Sequence, residues 1–527
     1  EISACLVGSE MCIRDRTKGE KLTKLNKEET MLFSQDASYY ADQVKKGQVT
    51  PLELVKAALE NIRKLNPTLN AVTTVIAENA LQEAREKTAL LGKLTPDQRA
   101  DLPAFYGIPT LLKDLGQHLK GVRSTSGAEI LQDFVPDATN HYTQALLDAG
   151  FIIVGTSNTP EFGFKGISDS KANGPVQSPF QTGFNPGGSS GGAAAALKAG
   201  MVPIAMASDG GGSVRIPASY TGLIGLKPSR GRIIVGPDSY RGWQGATVNF
   251  GLTRSVRDTW ALLKVLQAEQ YEAPFMVPKI TQEALTDLNR PLKIAYSLKG
   301  VMGQDLSDLA RSAILLAKDQ LEKLGHNLTE DDPGLDIAKS FKGYYMMNTI
   351  EAANMLDGIQ ESLGRPIQFE DVEPLTWLMS QAGKNVKATA LSQVLDEWDQ
   401  TSVYLEKFFQ KYDVIIFPIA NGPAPKQGQF DPDQDLINQI KDIDHLDPES
   451  QQDLLWEYFT PSHNYMGFNS HINLAGQPSI ALPLYQTDQA WPIGVQIWSR
   501  KGAEYLLLQI AKQLEKAGHL KTSIQEV

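Results

Sequence analysis

Gly187-Gly188-Ser189-Ser190-Gly191-Gly192 and, some twenty positions on, Asp209-Gly210-Gly211-Gly212-Ser213-Val214-Arg215 decide how this chain reads. Each places a serine among glycines, the residue that lets backbone approach a ligand closely or take a positive φ. One such cluster would read as a flexible loop. Here Ala193-Ala194-Ala195-Ala196-Leu197 follows the first, and the apolar run Met201–Ala207 leads into the second. A helix opening after Gly192 and a buried strand entering Asp209 would fix both loops on rigid elements. That arrangement suits a nucleophile and an oxyanion hole, with two unrelated surface loops as the bland alternative.

Outward from this core, helical spacing marks 37–46 and 51–65, with Thr50 as N-cap, Pro51 at the first helical position and Asn66-Pro67 as the stop. A strand at about 70–75 and a charged helix at 77–91 follow, then the apolar strand Tyr106–Lys113. Taken alone, Lys113 reads as a strand-end lysine with its ammonium in water. A helix over 143–149 leads to a buried strand at 151–155. The Gly-, Ser-, Asn- and Pro-rich stretch to 192 leaves little room for regular structure, and so long a loop inside a domain is usually functional. Further strands are expected at 223–228, 292–297, 414–418, 479–484 and 493–498. Helices are expected at 256–268, 306–324, over most of 336–410 and at 503–517, with 427–453 an acidic, mobile surface insertion. Strands and helices alternate without a break, which reads as one α/β domain.

The 527 residues are 42% apolar and 21% charged, with a net charge of −11, which disfavours nucleic acid and anionic membranes as partners. No apolar run approaches the roughly 18 residues of a membrane span. Residues 1–16 resemble translated sequencing adapter, and residues 17–30 read as upstream leader, with Met31 as the start and 31–527 as the domain. Both cysteines, Cys5 and Cys12, fall in that doubtful stretch, leaving no disulfide framework and no thiol nucleophile, as expected of a cytoplasmic protein.

The seven histidines (118, 141, 326, 445, 463, 471 and 519) avoid both glycine-serine loops and form no metal-ligand spacing, and each reads as an ordinary polar or surface residue. No Gly-Lys-Ser/Thr follows Ser190, so the first loop is no phosphate cradle, and neither serine sits in a G-x-S-x-G elbow. A serine activated by something other than histidine is left, and lysine is the known alternative.

With these motifs in order, the chain resembles the amidase signature family, most of all its stand-alone bacterial amidases. The match runs from Tyr106-Gly107-Ile108-Pro109 and Lys113-Asp114, through Pro186–Ala193 and Ser208–Ser219, to Gly222–Pro228 and on to Asp258, a signature core of about 106–258. The resemblance implies a mixed β-sheet covered by helices on both faces. It also implies Ser213 as nucleophile, Ser189 as bridging serine after a cis peptide, and Lys113 as base, with backbone N–H groups of Gly210, Gly211, Gly212 and Ser213 as the oxyanion hole. The expected reaction is cleavage of a small-molecule amide through an acyl-enzyme, with no metal and no cofactor. A lysine base must be neutral, and burial can lower its pKa from about 10.4 by a few units.

Ser190 is expected to hydrogen-bond beside the triad. Asp209 and Arg215 either orient the two loops or form a plain ion pair. Lys227 and Arg232 read as turn residues in a solvated loop. Aromatics at Trp243, Tyr344, Tyr345, Trp456, Tyr458 and Phe459 are candidates for an apolar acyl pocket, with core packing as the alternative. A glutamine amidotransferase A-type subunit working with partner subunits is the second reading. A non-catalytic binding protein on the same scaffold is the third. Oligomeric state is not legible.

Overall fold

Strands whose residues are apolar on both sides of the pleat must be covered on both faces, and this chain has a run of them. A computed structural model describes residues 33–281, 286–300, 305–525 and 527. The proposed leader, residues 1–30, lies outside the described residues. The strands are β1 (Val72–Val75), β2 (Pro109–Lys113), β3 (Ile152–Ser157), β4 (Ala205–Asp209), β5 (Ile224–Lys227) and β6 (Val248–Thr253). They continue with β7 (Lys293–Tyr296), β8 (Asn327–Glu330), β9 (Val414–Pro418), β10 (Ser479–Gln486) and β11 (Pro492–Ser499). Among the described residues they form one 11-stranded sheet in the order β1-β3-β2-β4-β6-β5-β10-β11-β9-β7-β8. Every residue of β2, β3, β4, β5, β9 and β11 is buried.

The sheet is mixed. β2 runs parallel to β3 and β4, and β7 runs parallel to β8 and β9. β4–β6, β6–β5, β5–β10, β10–β11 and β11–β9 are antiparallel. Because β2 and β4 are parallel neighbours, their C-terminal ends emerge at one edge, and Lys113 and Asp209 are the last residues of the two strands. Ligands in α/β proteins collect at such strand ends. The helix Gly191–Lys198 is buried along its whole length and packs on β2, β3, β4 and β6, which carries Ser189 and Ser190 to the same edge. Gly192 allows this contact: a Cβ there would lie 2.4 Å from Ala71 O and from Asn158 N.

Three expectations need amending. The second helix does not stop at Asn66-Pro67 but spans Pro51–Leu69, ending at Asn70 in a left-handed conformation. Strands β6 and β8 escaped the pattern: β8 is mostly exposed, and in β6 the half-exposed Val248 and Asn249 and the glycine at 251 break the apolar run. Residues 427–453, expected as a mobile acidic surface insertion, contain regular structure. They include the helix Gln434–Lys441 and the start of Pro448–Met466, and Leu436, Ile440 and Ile443 enter an apolar cluster with Leu375, Leu378, Leu455 and Phe459. The acidic residues cover the outside of an amphipathic element, so composition alone hid the buried stripe.

Ile440→Ala is therefore expected to cost about 2–5 kcal/mol, whereas Gln439→Ala on the exposed side should cost less than about 0.5 kcal/mol. Thermal unfolding of the two variants against the parent checks this.

Candidate active site

The end of β2, the loop before the helix Gly191–Lys198 and the loop after β4 meet around Lys113. Its Nζ shares a hydrogen bond with Ser189 Oγ at 2.6 Å and a second with Ser208 Oγ at 3.0 Å. Its backbone N–H donates to Gln117 Oε1 at 2.7 Å, and Gln117 Nε2 in turn donates to Ala207 O, the neighbouring strand. Lys113 is 1% exposed. Burial pushes its pKa down to about 7, with the charge of Asp209 opposing the shift. This lysine does not place its ammonium in water: it lies beneath the glycine loops, where the neutral amine is accessible near neutral pH.

Ser189 follows a cis peptide, Gly188–Ser189, and is 2% exposed. Ser190 ties the loops together: its N–H donates to Ser213 O, its hydroxyl donates to Ser208 O, and Ser208 N–H donates back to Ser190 Oγ, each at 3.3 Å. Ser213 is half-buried and borders a cavity of about 110 Å³ that Ser189, Gly210 and Gly211 also line. Its hydroxyl has no hydrogen-bond partner among the described residues.

Asp209 organises the backbone around it. Its carboxylate accepts from the N–H groups of Gly212 (2.8 Å), Val214 (3.1 Å) and Arg215 (3.4 Å), and from Arg215 Nε and Nη2 at 3.0 and 2.9 Å. Asn473 Nδ2 donates to the same carboxylate at 2.9 Å. Arg215 donates onward to Asn469 O, Gln496 Oε1 and Asn473 Oδ1, and both charged side chains are fully buried. Burial alone would raise the Asp209 pKa; Arg215, Asn473 and Lys227 outweigh it and hold the carboxyl well below the usual range. The ion pair and the orienting role are thus one arrangement. It also amends the expected donor set. The Gly212 N–H is committed to Asp209, and Gly212, at φ +129° with a would-be Cβ 2.7 Å from Asn469 Cβ, has no side-chain alternative. The N–H groups of Gly210, Gly211 and Ser213 have no partner among the described residues.

Of the six aromatics singled out, Trp243, Tyr344, Tyr345 and Phe459 line the cavity, and Phe162, Phe164 and Phe341 join them. Trp456 does not; it packs in the cluster of Phe341 and Phe468. Tyr458 faces a small adjoining cavity beside Lys165. Lys227 and Arg232 are not solvated turn residues: both are buried, Lys227 Nζ donating to Pro228 O at 2.8 Å and Arg232 pairing with Glu504 at 3.1 Å. Three histidines, His326, His463 and His471, are also buried. His463 borders the cavity with Nε2 2.7 Å from Tyr345 Oη, and burial pushes it down to about 3; His471 is pushed down to about 4 for the same reason. Sequence reasoning missed Ser208, Gln117, Asn469, Asn473 and Gln496. The available signal was the pair of asparagines four apart at 469 and 473, set beside the apolar Phe468, Ile472, Leu474 and Ala475.

The amidase family profile matches residues 53–508, most of the chain. The chain belongs to the amidase signature family. Among curated relatives, it is 36% identical over 477 residues to a lipoamidase of Enterococcus faecalis, covering 90% of this chain and 62% of that protein, so it spans less than two thirds of that relative's length. It is 31% identical over 494 residues to a 6-aminohexanoate-cyclic-dimer hydrolase of Paenarthrobacter ureafaciens, covering 92% of this chain and 94% of that protein. The solved structure of a 6-aminohexanoate cyclic dimer hydrolase complexed with substrate superposes with a TM-score of 0.80 at 30% identity, covering 93% and 98% of the two chains. In this family member no helix among the described residues is long and apolar enough to cross a membrane.

Removing one partner of a buried pair leaves an uncompensated charge. Asp209→Asn should therefore cost about 3–5 kcal/mol in thermal unfolding, while Asp371→Asn, which breaks the half-exposed Arg365–Asp371 pair, should cost less than about 1 kcal/mol.

Proposed function

We propose that the protein hydrolyses a carboxylic amide by acyl transfer through Ser213, with Ser189 and Lys113 as the proton relay. The observation that carries this reading is the 2.6 Å contact between Ser189 Oγ and the Nζ of a fully buried lysine, beneath the cavity that Ser213 faces. As Ser213 Oγ bonds to the amide carbon, its proton passes to Ser189 Oγ, and the Ser189 proton passes to Lys113 Nζ. The carbonyl π-electrons move onto oxygen, where the N–H groups of Gly210, Gly211 and Ser213 receive the negative charge; one such donor is typically worth about 3–4 kcal/mol. Collapse re-forms the carbonyl and breaks the C–N bond, and the relay returns a proton to the departing nitrogen, which an amine leaving group requires. Water then attacks the acyl-enzyme by the same route, releasing the acid and restoring the Ser213 hydroxyl. Catalytic hydrogen bonds often tighten only once substrate is bound, which accommodates the unpartnered Ser213 hydroxyl.

The aromatic wall favours apolar acyl groups. Together with the relatives' names it points to amides of medium-length acids, lipoyl and 6-aminohexanoyl amides among them. A panel of lipoyl, 6-aminohexanoate-dimer, aryl and short aliphatic amides plus glutamine tests this with Ser213→Ala as control. Turnover of an apolar acyl class, lost in the variant, supports the reading. Turnover of glutamine alone would put the amidotransferase subunit first.

The relay needs neutral Lys113, so acylation should rise about tenfold per pH unit below the Lys113 pKa of about 7 and level off above it. A flat or acid-favoured acylation profile would sink the lysine base. The same shift has a stability consequence. Between about 7 and 10.5 the unfolded chain holds the Lys113 proton and the folded chain does not, so folding stability declines as pH falls across that window and stays reduced below it. Lys113→Met should therefore lose turnover while being more stable to unfolding than the parent at pH 6, by on the order of 4 kcal/mol.

A further inference from the structure

The three unpartnered N–H groups are aimed by what grips the opposite side of their peptide units. Asp209 O accepts from Asn473 Nδ2 at 3.1 Å, Gly210 O from Tyr344 Oη at 2.9 Å, and Gly212 O from the Ile216 N–H at 2.7 Å. Among the described residues the cis peptides are Gly188–Ser189 and Gly236–Pro237, so these three units are trans. In a trans unit C=O and N–H point in opposite directions across a rigid plane. Whatever holds the carbonyl therefore sets the direction of the next residue's N–H: Gly210, Gly211 and Ser213, all of which border the cavity. Asn473 belongs to the Asp209–Arg215 network, and the Ile216 contact is the first turn of the helix Arg215–Thr221. Tyr344 comes from outside both, on the helix Ile337–Leu363 across the cavity.

We infer that Tyr344 is a positioning residue for the reaction: by donating to the Gly210 carbonyl, its hydroxyl aims the Gly211 N–H at the oxygen of an amide attacked by Ser213. This rests on the acyl-transfer reading above and adds a residue to it. The fit is close enough to depend on glycine, since a Cβ on Gly211 would lie 2.7 Å from Tyr344 Oη and 3.2 Å from its Cζ. Burial pushes the Tyr344 hydroxyl up to about 12, so it remains a donor across the working range. Tyr344 also lines the cavity, and a residue that served only as wall would act on substrate affinity instead.

The test uses the full chain and a neutral amide that it hydrolyses. Tyr344→Phe should lower kcat by about ten- to a hundredfold, less than the loss of a whole oxyanion donor, with KM within about twofold and the pH midpoint of acylation still near 7. A trifluoromethyl ketone carrying the same acyl group forms an oxyanion on Ser213; its affinity should fall by the same factor, while the matching alcohol, which forms none, should bind unchanged. Gly211→Ala pushes the same hydroxyl away and should give a loss of the same kind. The double variant should be no worse than the poorer single one, which keeps the question decidable should Tyr344→Phe fold badly. Unchanged kcat and ketone affinity, or equal weakening of ketone and alcohol, would overturn the inference. If Ser213→Ala still hydrolyses amides, or the parent cleaves none, the acyl-transfer reading falls and takes this inference with it. If the parent is active, Ser213→Ala dead and Tyr344→Phe unaffected, this inference alone falls.

Discussion

One buried carboxylate holds the site together. Asp209 sits where β4 ends, accepts three backbone N–H groups of the loop that follows, and meets a guanidinium and an amide side chain with its remaining lone pairs. Two charges taken fully out of water are tolerated only when nearly every donor and acceptor is matched, and here they are matched by groups drawn from distant parts of the chain. Asn469, Asn473 and Gln496 all bond to Arg215. The C-terminal third of the chain is thereby part of the loop's geometry although Lys113, Ser189 and Ser213 all lie far upstream of it. The glycines between Asp209 and Ser213 are free to follow this pattern because they have no side chains to place, and the Gly212 N–H is consumed by it.

The lysine obeys the opposite economy. Lys113 is buried without a carboxylate partner; its Nζ meets two hydroxyls, and Asp209 acts only through space. Desolvation therefore prevails and favours the neutral amine. Lys165 shows what a partner does. It too is largely withdrawn from water, but its contacts to Asp169 at 2.7 Å and Glu373 at 2.8 Å raise its pKa and keep it charged. One lysine is thus pushed toward the neutral amine and the other held as the ammonium, set by whether a carboxylate lies in contact.

Much of this was legible beforehand, for reasons that differ by residue. The loops around Ser189 and Ser213 announce themselves because local backbone requirements write glycine into the sequence, and those requirements act over a few residues. The strands β2, β3, β4, β5 and β9 announce themselves because full burial demands unbroken apolar runs. β8 is mostly exposed and β6 is interrupted by Asn249 and Gly251, so neither carries such a run. The helix Gln434–Lys441 was hidden for a similar reason, since its acidic outer face dominates the composition while Leu436 and Ile440 supply the buried stripe. Lys227 and Arg232 looked solvated because charge implies water by default, and nothing local announces Glu504, which lies far along the chain.

The sequence by itself determined the α/β architecture, the two serine loops and the lysine strand, because periodicity, glycine demand and hydrophobic runs are properties of neighbouring residues. Tertiary structure alone decided which N–H groups stay unpartnered, which aromatics face the cavity and which charges are paired. Those outcomes depend on contacts such as Tyr344 to Gly210, 134 residues apart, and Asn473 to Asp209, 264 apart. Hydrogen bonding is short-ranged and directional, so a donor's partner is chosen by the folded geometry, and no local pattern encodes that choice.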